Sequence, residues 1–300
     1  MLPPDLLALD DIVETRTQLA ELRKAEPLPE GVTTEDMMVT GPEGDTEVMV
    51  RVYRPAELAP NAPALYWIHG GGLVLGNVQM NDNSCATIAD NLGVLVASVE
   101  YRLAPEHPYP APLEDCYAGL KWLHGSVDEL GVDIDRIAIG GASAGGNLAA
   151  GLALLARDRA EIPVCFQLLV YPMLDDRNTT PSSHAITDPK VWNRHANLVG
   201  WNSYLEGRAG ADDVPTYAAP ARATDLAGLP PAYIPVGDLD LFLDEDVDYA
   251  TRLMAAGVPV ELHVYPGAFH GSNGFVPWAE LSRRWVADEH AALARAFGLV

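Results

Sequence analysis

A short apolar run, a turn of small residues and an alanine- and leucine-rich segment follow one another in the stretch RIAIGGASAGGNLAAGLALLA, residues 136–156. The run Arg136–Ile139 is short and apolar, as in a strand buried on both faces. Residues 145–158 are rich in alanine and leucine, the residues with the highest helix propensity. The stretch therefore predicts a strand and a helix joined by a sharp turn of small residues.

Ser143 lies in this turn, within the pattern Gly-x-Ser-x-Gly of residues 141–145. A serine on a tight strand-to-helix turn is held in a strained conformation with its hydroxyl exposed, which suits a nucleophile. Gly145 and Gly146 let the backbone and the helix approach closely, and the helix N-terminus favours developing negative charge. Glycine and serine also form ordinary turns, so the predicted strand and helix carry the prediction that Ser143 is a nucleophile.

A second cluster of glycines, His69-Gly70-Gly71-Gly72, directly follows the apolar run Ala64–Ile68. Consecutive glycines allow several backbone N–H groups to point at one spot, as an oxyanion hole requires. A flexible surface loop and a phosphate-binding loop are the alternatives. No Lys-Ser/Thr pair follows the glycines, as a P-loop would require, and a candidate nucleophile lies downstream.

Outward from these motifs, short apolar runs alternate with helical segments from residue 64 to the end of the chain. Continuous short runs are typical of strands in a mainly parallel sheet, and strand–helix alternation indicates an α/β fold. Two period-2 strands, Met37–Val39 and Val48–Tyr53, precede them and are separated at Gly41–Gly44. The predicted later strands are Ala64–Ile68, Val94–Val99, Arg136–Ile139, Val164–Tyr171, Ala232–Val236 and Val260–Tyr265, and the predicted helices are 112–125, 145–158, 244–256 and 277–297.

The chain resembles the bacterial hormone-sensitive-lipase-like (family IV) carboxylesterases of the α/β-hydrolase superfamily from about residue 35 onward. Besides the two glycine motifs, the resemblance rests on YRLAPE (101–106), HPYP (107–110), EDC (114–116), GGNLA (145–149) and LPPAY (229–233). It implies an α/β-hydrolase fold, a mostly parallel central sheet flanked by helices, with a helical cap. The sequence differs from the family pattern at Ala142, where the family usually has Asp or Thr, and at Leu241, where it usually has Pro.

The resemblance also implies the partners of Ser143. The family's catalytic histidine lies in the motif that holds His270, just after the last predicted strand. The motif Asp-Pro-Leu-x-Asp-Glu, aligned on Asp244 and Glu245, places the catalytic carboxylate at Asp240, with Asp238 as the rival. Asp244 and Glu245 are expected to complement the N-terminus of the following helix.

The expected oxyanion hole consists of the N–H groups of Gly71, Gly72 and Ala144, with His69 and Gly70 supporting the loop. The order Ser143, Asp240, His270 is that of α/β-hydrolases. Other acid pairs, among them Asp175-Asp176, are expected at solvated faces or turns. No metal-ligand spacing such as HExxH occurs, and neither a metal nor another cofactor is expected.

We expect one domain over residues 1–300, with a cap formed by about 1–35 and 175–230. Residues 5–25 have helical spacing of apolar positions. Residues 175–230 interrupt the strand–helix alternation and are rich in Pro, Asn, Thr and Asp, as in a lid or pocket wall. Trp192, Trp201 and Tyr204 in this insertion fit either an acyl pocket or the packing of the cap.

Composition limits the partners. The 300 residues include 19 basic and 42 acidic ones, a net charge of -23, which opposes binding to nucleic acid and to anionic membranes. Three cysteines without a CxxC pair fit a reducing compartment. No secretory signal or membrane span is evident, so we expect a cytoplasmic protein. The sequence leaves open whether the protein forms a homodimer.

The sequence therefore predicts a serine carboxylesterase that hydrolyses short- to medium-chain acyl esters of small molecules through an acyl-enzyme. An amidase or lactone hydrolase with the same triad is the first alternative. A non-catalytic binding protein on the same fold is the second, and His270 counts against it, since such receptors are expected to lack that histidine.

Overall fold

A computed structural model describes residues 6–22, 27–44 and 46–300 of the protein. These residues form one eight-stranded sheet. Its strands are β1 (Val32–Thr40), β2 (Glu47–Pro55), β3 (Ala62–Ile68), β4 (Leu95–Glu100), β5 (Val132–Ala142), β6 (Phe166–Val170), β7 (Ala232–Leu239) and β8 (Val260–Phe269).

The strands lie in the order β1-β2-β4-β3-β5-β6-β7-β8. Strand β2 is antiparallel to both β1 and β4, and every other neighbouring pair is parallel. The mostly parallel sheet predicted from the alternation is therefore confirmed, as are all eight predicted strands, most of them longer than their apolar runs. In open sheets of this kind, functional loops collect at the carboxyl ends of the strands.

Helices cover both faces of the sheet, and none in the described ranges is long and apolar enough to cross a bilayer. They are α1 (Ile12–Leu22), α2 (Asp82–Leu92), α3 (Ala111–Gly125), α4 (Val127–Leu130), α5 (Ala144–Arg159), α6 (Pro181–Ala185), α7 (Arg194–Tyr204), α8 (Leu243–Ala255), α9 (Ser272–Phe275) and α10 (Glu280–Ala296). The four helices predicted after residue 64 correspond to α3, α5, α8 and α10. Helix α2 is not among the predicted helices, because its buried face has one large apolar residue, Ile88, and otherwise the small residues Cys85, Ala86 and Ala89.

Two hydrophobic clusters lie on opposite faces of the sheet, and β3 contributes to both. All seven residues of β3 are buried. Tyr66 and Ile68 belong to one cluster, and Leu65 and Trp67 belong to the other. Successive side chains of a strand point to opposite faces. The continuous apolar runs are thus explained by burial on both sides of the sheet.

The N-terminal segment packs on the loop that follows β3 and on the insertion after β6. Arg16 of α1 donates to the carbonyl oxygens of Val74 and Ala104, at 2.7 and 2.8 Å, and pairs with both carboxylate oxygens of Glu106. The His195 ring of α7 lies 2.9 Å from the carbonyl oxygen of Ala8. The ends of the predicted helix 5–25, residue 5 and residues 23–25, lie outside the described residues.

Asp175 and Asp176 lie at a turn, as expected, in which the Asn178 N–H donates to the Asp175 carbonyl oxygen at 3.4 Å, but they are not solvated. Both side chains are buried. Asp176 accepts two hydrogen bonds from Arg222, at 2.6 and 2.9 Å, and Asp175 accepts two from Arg177, at 2.7 and 3.0 Å. A buried carboxylate needs such a partner to offset its desolvation, and the distant Arg222 is not apparent from local sequence.

Glu289 of α10 makes stability depend on pH. It is buried and accepts a 2.6 Å hydrogen bond from the Trp285 indole. Burial raises the pKa of Glu289 from 4.5 to about 8. The folded protein therefore binds more protons than the unfolded chain between these values, so stability falls as pH rises from about 4.5 to 8.

We expect Glu289→Gln to remove this loss of stability at high pH, because glutamine has no titrating carboxyl group and its carbonyl oxygen can still accept from the Trp285 indole. Its stability advantage over the unmodified protein should be small at pH 4.5 and reach several kcal/mol above pH 8, at about 1.4 kcal/mol per pKa unit. Urea unfolding at several pH values measures this difference. Glu280→Gln, at an exposed acid of the same helix, controls for loss of charge. An advantage independent of pH would contradict the prediction.

Candidate active site

Ser143 occupies the turn between β5 and α5 in a strained backbone conformation, with φ 58° and ψ −120°. Such a conformation costs on the order of 1–3 kcal/mol for a residue other than glycine. The turn is held by hydrogen bonds, since the Ser143 N–H donates to Val170 at 2.9 Å. The Ser143 carbonyl accepts from Asn147 at 3.0 Å and from Met173 at 3.1 Å. The neighbouring strand β6 and its following loop therefore hold the serine in place.

Two glycines beside Ser143 are required by close backbone contacts. A Cβ atom on Gly141 would overlap the backbone of Gly145, and a Cβ on Gly145 would overlap the carbonyl oxygen of Ile68. The small residues of the motif thus allow α5 to begin against the end of β3. This contact brings Ser143 next to the glycine loop that follows β3.

His270 links Ser143 to Asp240. Its Nε2 lies 2.9 Å from Ser143 Oγ, and its Nδ1 lies 2.8 Å from Asp240 Oδ2. With the proton on Nδ1, the ring donates to the carboxylate and accepts from the serine hydroxyl. All three side chains are buried, with relative exposures of 6% for Ser143, 1% for Asp240 and 8% for His270. This arrangement can remove a proton from the serine and stabilise the resulting imidazolium.

Aromatic rings and a glycine orient His270 in the loop after β8. The edges of Tyr171 and Phe242 meet the imidazole at centroid distances of 4.7 and 5.1 Å. Gly271 has φ 74°, a conformation that favours glycine. Neither Tyr171 nor Phe242 was singled out from the sequence, because no local pattern places their rings beside His270.

The two candidate carboxylates have different positions. Asp240 lies in the turn before α8, and its other oxygen accepts from the Phe242 N–H at 3.1 Å. Asp238 is exposed, and its carboxylate accepts from the Gly267 N–H at 2.6 Å. The structure therefore brings Asp240 to His270 and leaves Asp238 near the end of β7, where it contacts Gly267 of β8.

The acids Asp244 and Glu245 lie in the first turn of α8, as expected, but each contacts another segment. Asp244 accepts from the backbone N–H of Ser182 at 2.7 Å. Glu245 accepts from the backbone N–H groups of Leu174 and Asp175. Their hydrogen bonds join α8 to the insertion and to the loop after β6.

The glycine loop after β3 lies beside Ser143. Gly71 and Gly72 have φ 119° and 61°. A Cβ on Gly70 would lie 2.8 Å from the Ala142 carbonyl oxygen, and one on Gly71 would overlap the backbone of Leu75. In the described part of the chain, the N–H groups of Gly71, Gly72 and Ala144 have no hydrogen-bond acceptor. They are therefore free to bind an oxyanion.

His69, the first residue of this loop, packs against Tyr101 and contacts Gly70. Its ring is buried, stacks on Tyr101 at a centroid distance of 4.2 Å, and contacts the Gly70 carbonyl at 2.8 Å. The Tyr101 hydroxyl donates to the His69 carbonyl at 2.9 Å. The residues of the motif YRLAPE thus contact the glycine loop directly.

Trp192 of the insertion covers the other side of Gly72. A Cβ on Gly72 would overlap the indole ring, and one on Gly200 of α7 would lie 2.6 Å from the Gly72 carbonyl oxygen. The indole N–H donates to Asn197 at 3.1 Å. Trp201 and Tyr204 are fully buried within the insertion, which favours a packing role for both.

The described residues contain no group of three His, Cys, Asp or Glu side chains that could hold a metal ion. The three cysteines are free thiols, with Cys85 and Cys116 buried. The polar groups gathered at the site are therefore the serine, the imidazole, the carboxylate and the three backbone N–H groups.

Comparison with known proteins gives consistent matches over almost the whole chain. Residues 65–273 match a family model described as alpha/beta hydrolase fold. Carboxylesterase NlhH of Mycobacterium tuberculosis is 38% identical over 98% of this chain and 92% of its own. The solved structure of a bacterial heroin esterase is 44% identical, with a TM-score of 0.92, over 99% of this chain and 98% of its own. An ethyl acetate hydrolase of Pseudomonas putida is 33% identical over 78% of this chain and 74% of its own.

The family model covers more than half of the chain, and the mycobacterial relative covers nearly all of it. The sheet order, the strained serine turn and the glycine loop after β3 agree with these matches. The chain belongs to the α/β-hydrolase family, in its hormone-sensitive-lipase-like group.

Proposed function

We propose that this protein is a serine carboxylesterase in which Ser143, His270 and Asp240 form the catalytic triad. The observation that carries the proposal is the hydrogen-bonded chain from Ser143 Oγ through His270 to Asp240, with distances of 2.9 and 2.8 Å. Relatives over most of the chain are named carboxylesterase, heroin esterase and ethyl acetate hydrolase, which supports ester hydrolysis in particular.

In the first half-reaction, His270 Nε2 takes the proton of Ser143 as Oγ attacks the ester carbonyl carbon. The Asp240 carboxylate accepts a hydrogen bond from the Nδ1–H of His270 and stabilises the imidazolium. The carbonyl oxygen becomes an oxyanion that accepts from the N–H groups of the oxyanion hole, Gly71, Gly72 and Ala144. His270 then protonates the departing alkoxide, which leaves Ser143 acylated.

In the second half-reaction, water replaces the alcohol. His270 takes a proton from the water as its oxygen attacks the acyl carbon, and the same N–H groups bind the second oxyanion. Collapse of this intermediate returns the proton to Ser143 and releases the carboxylic acid. The backbone hydrogen bonds of Ser143 with Val170, Asn147 and Met173 hold the nucleophile's turn in place.

Amide and lactone hydrolysis use the same triad chemistry and remain the second candidate, since the scissile bond is selected by the pocket. A direct test compares kcat/KM for p-nitrophenyl acetate, the matching anilide and a small lactone, with acyl-enzyme trapping on Ser143 by mass spectrometry. We expect the ester to be hydrolysed fastest and Ser143 to carry the acyl group. A higher kcat/KM for the anilide or the lactone would instead identify the protein as an amidase or a lactone hydrolase.

We further propose that about residues 1–35 and 175–230 form a cap on a single domain. Arg16 joins α1 to the loop after β3, and Trp192 and Gly200 place the insertion against Gly72. A cap that contacts the oxyanion-hole loop would limit the depth of the acyl pocket. Each added CH₂ then contributes about 0.8 kcal/mol only while it stays inside.

We expect kcat/KM to peak at short to medium acyl chains and to fall for longer ones. A series of p-nitrophenyl esters from acetate to palmitate measures the profile, and emulsified long-chain triglyceride serves as the contrasting substrate. Removal of residues 1–25 should change the profile as well as the rate. Faster hydrolysis of the triglyceride, or an unchanged profile after truncation, would contradict a cap of this kind.

Small-molecule esters are therefore the proposed substrates, and the three free thiols support a reducing, cytoplasmic location. A homodimer remains a prediction that light scattering can test.

A further inference from the structure

Glu245 connects two segments that meet at the candidate active site. It projects from the first turn of α8, with a relative exposure of 3%. Its Oε1 accepts two backbone hydrogen bonds, from Leu174 at 2.7 Å and from Asp175 at 3.2 Å. Leu174 and Asp175 belong to the loop after β6, about 70 positions away in the chain. One side-chain oxygen thus joins α8 to that loop.

The loop after β6 holds the nucleophile. Val170 accepts from the Ser143 N–H at 2.9 Å, and Met173 donates to the Ser143 carbonyl at 3.1 Å. The two hydrogen bonds of Glu245 begin at the residue directly after Met173. A shift of Leu174 would therefore be passed to the backbone of Ser143.

The start of α8 holds the carboxylate. Asp240 accepts from the Leu243 N–H through its carbonyl, at 3.3 Å, and from the Phe242 N–H through its side chain, at 3.1 Å. Glu245 lies in the first turn of α8, which begins at Leu243. Its anchor in the loop after β6 therefore also restrains the position of Asp240.

We propose that Glu245 is a positioning residue that sets the separation between Ser143 and Asp240, across which His270 must hydrogen-bond to both. The inference rests on the proposed function, since it assigns a role within that triad. The hydrogen bonds of His270 to Ser143 and to Asp240 are both shorter than 3 Å, so they tolerate little displacement of either residue. A displacement of about 1 Å can reduce the rate about 100-fold. Glu245 touches none of the reacting atoms.

The two hydrogen bonds of Glu245 require an oxygen that accepts from the backbone N–H groups, and they do not require a negative charge on the side chain. Burial, followed by the nearby charge of Asp175, raises the pKa of Glu245 well above its usual range. Among the described residues, its second oxygen Oε2 is buried without a hydrogen-bond partner. The amide of glutamine has the same length and the same carbonyl acceptor, whereas aspartate is one methylene shorter and leucine has no acceptor.

The test compares Glu245→Gln, Glu245→Asp and Glu245→Leu in the full chain. An organophosphate titrates the reactive Ser143, so that kcat is expressed per labelled site and misfolded protein is not counted. We expect Glu245→Gln to stay within about threefold of the unmodified enzyme. Glu245→Asp and Glu245→Leu should lose about 10–100-fold in kcat, with KM for p-nitrophenyl acetate changed by less than about threefold.

Asp176→Asn is the matched control. Asp176 is a buried acid of the same loop, but its hydrogen bonds go to Arg222 and to the Gly210 N–H. We expect it to lower the Tm with little change in kcat per labelled site. If Glu245→Leu does not fold, the Gln and Asp variants still decide the question.

The inference is overturned if Glu245→Asp and Glu245→Leu keep full kcat per labelled site, or if Glu245→Gln is as impaired as Glu245→Asp. Both outcomes leave the proposed function intact. Failure of the organophosphate to label Ser143 in the unmodified enzyme would instead overturn the proposed function.

Discussion

Replacing Ser143 with alanine is expected to lower kcat about 10⁴–10⁶-fold, the range observed when the nucleophile of a triad is removed. The loss is large because the hydroxyl both forms the covalent intermediate and passes its proton to His270, 2.9 Å away. Remaining activity would come from the oxyanion hole and substrate binding. Hydrolysis of p-nitrophenyl acetate in purified variants measures the effect.

A buried serine elsewhere provides the control for this substitution. Ser98 lies in β4 and is fully buried, so Ser98→Ala tests the effect of losing a buried hydroxyl away from the site. We expect it to keep most of the activity. An organophosphate should label Ser143 alone. Labelling of another residue, together with activity in Ser143→Ala, would reject the proposed nucleophile.

Asp240→Asn is expected to lower kcat about 10⁴-fold with little change in KM, whereas Asp238→Asn should have a much smaller effect. An asparagine at 240 can donate to His270 and thereby favour the wrong tautomer. Asp238 is exposed and accepts from the Gly267 N–H, so its loss should remove only one contact between β7 and β8.

Asp238 lies in β7 and Asp240 in the turn that follows, two positions further on, which makes them a matched pair. Steady-state kinetics with one ester substrate gives both values, and circular dichroism verifies that each variant is folded. A larger loss in Asp238→Asn than in Asp240→Asn would transfer the role of the carboxylate to Asp238.

Most of the strands and of the larger helices after residue 64 could be predicted from local sequence. Burial on both faces makes the strands continuous apolar runs, and Ala64–Ile68 shows this most directly, since every residue of β3 is buried. Helix α2 was not predicted, because its buried face consists largely of small residues. The surroundings of Asp176 were misjudged, since its partner Arg222 is 46 positions away.

The kinds of groups available for catalysis, and the turns that carry them, can be read from the amino-acid sequence alone. The pattern around Ser143 requires small residues because a Cβ at Gly141 or Gly145 would overlap backbone, and this requirement is visible as glycine in the chain. The alternation of strands and helices likewise follows from the period of the apolar residues.

The contact of Asp240 with His270, and the contacts that hold the triad in place, are visible in the three-dimensional arrangement and not in the local sequence. The family motif favours Asp240 over Asp238, and the end of β7 leaves Asp238 exposed and Asp240 buried against the imidazole. The contacts of Glu245 with Leu174 and of Trp192 with Gly72 join segments far apart in the chain. Such contacts depend on how the strands are ordered in the sheet, which no local pattern of residues specifies.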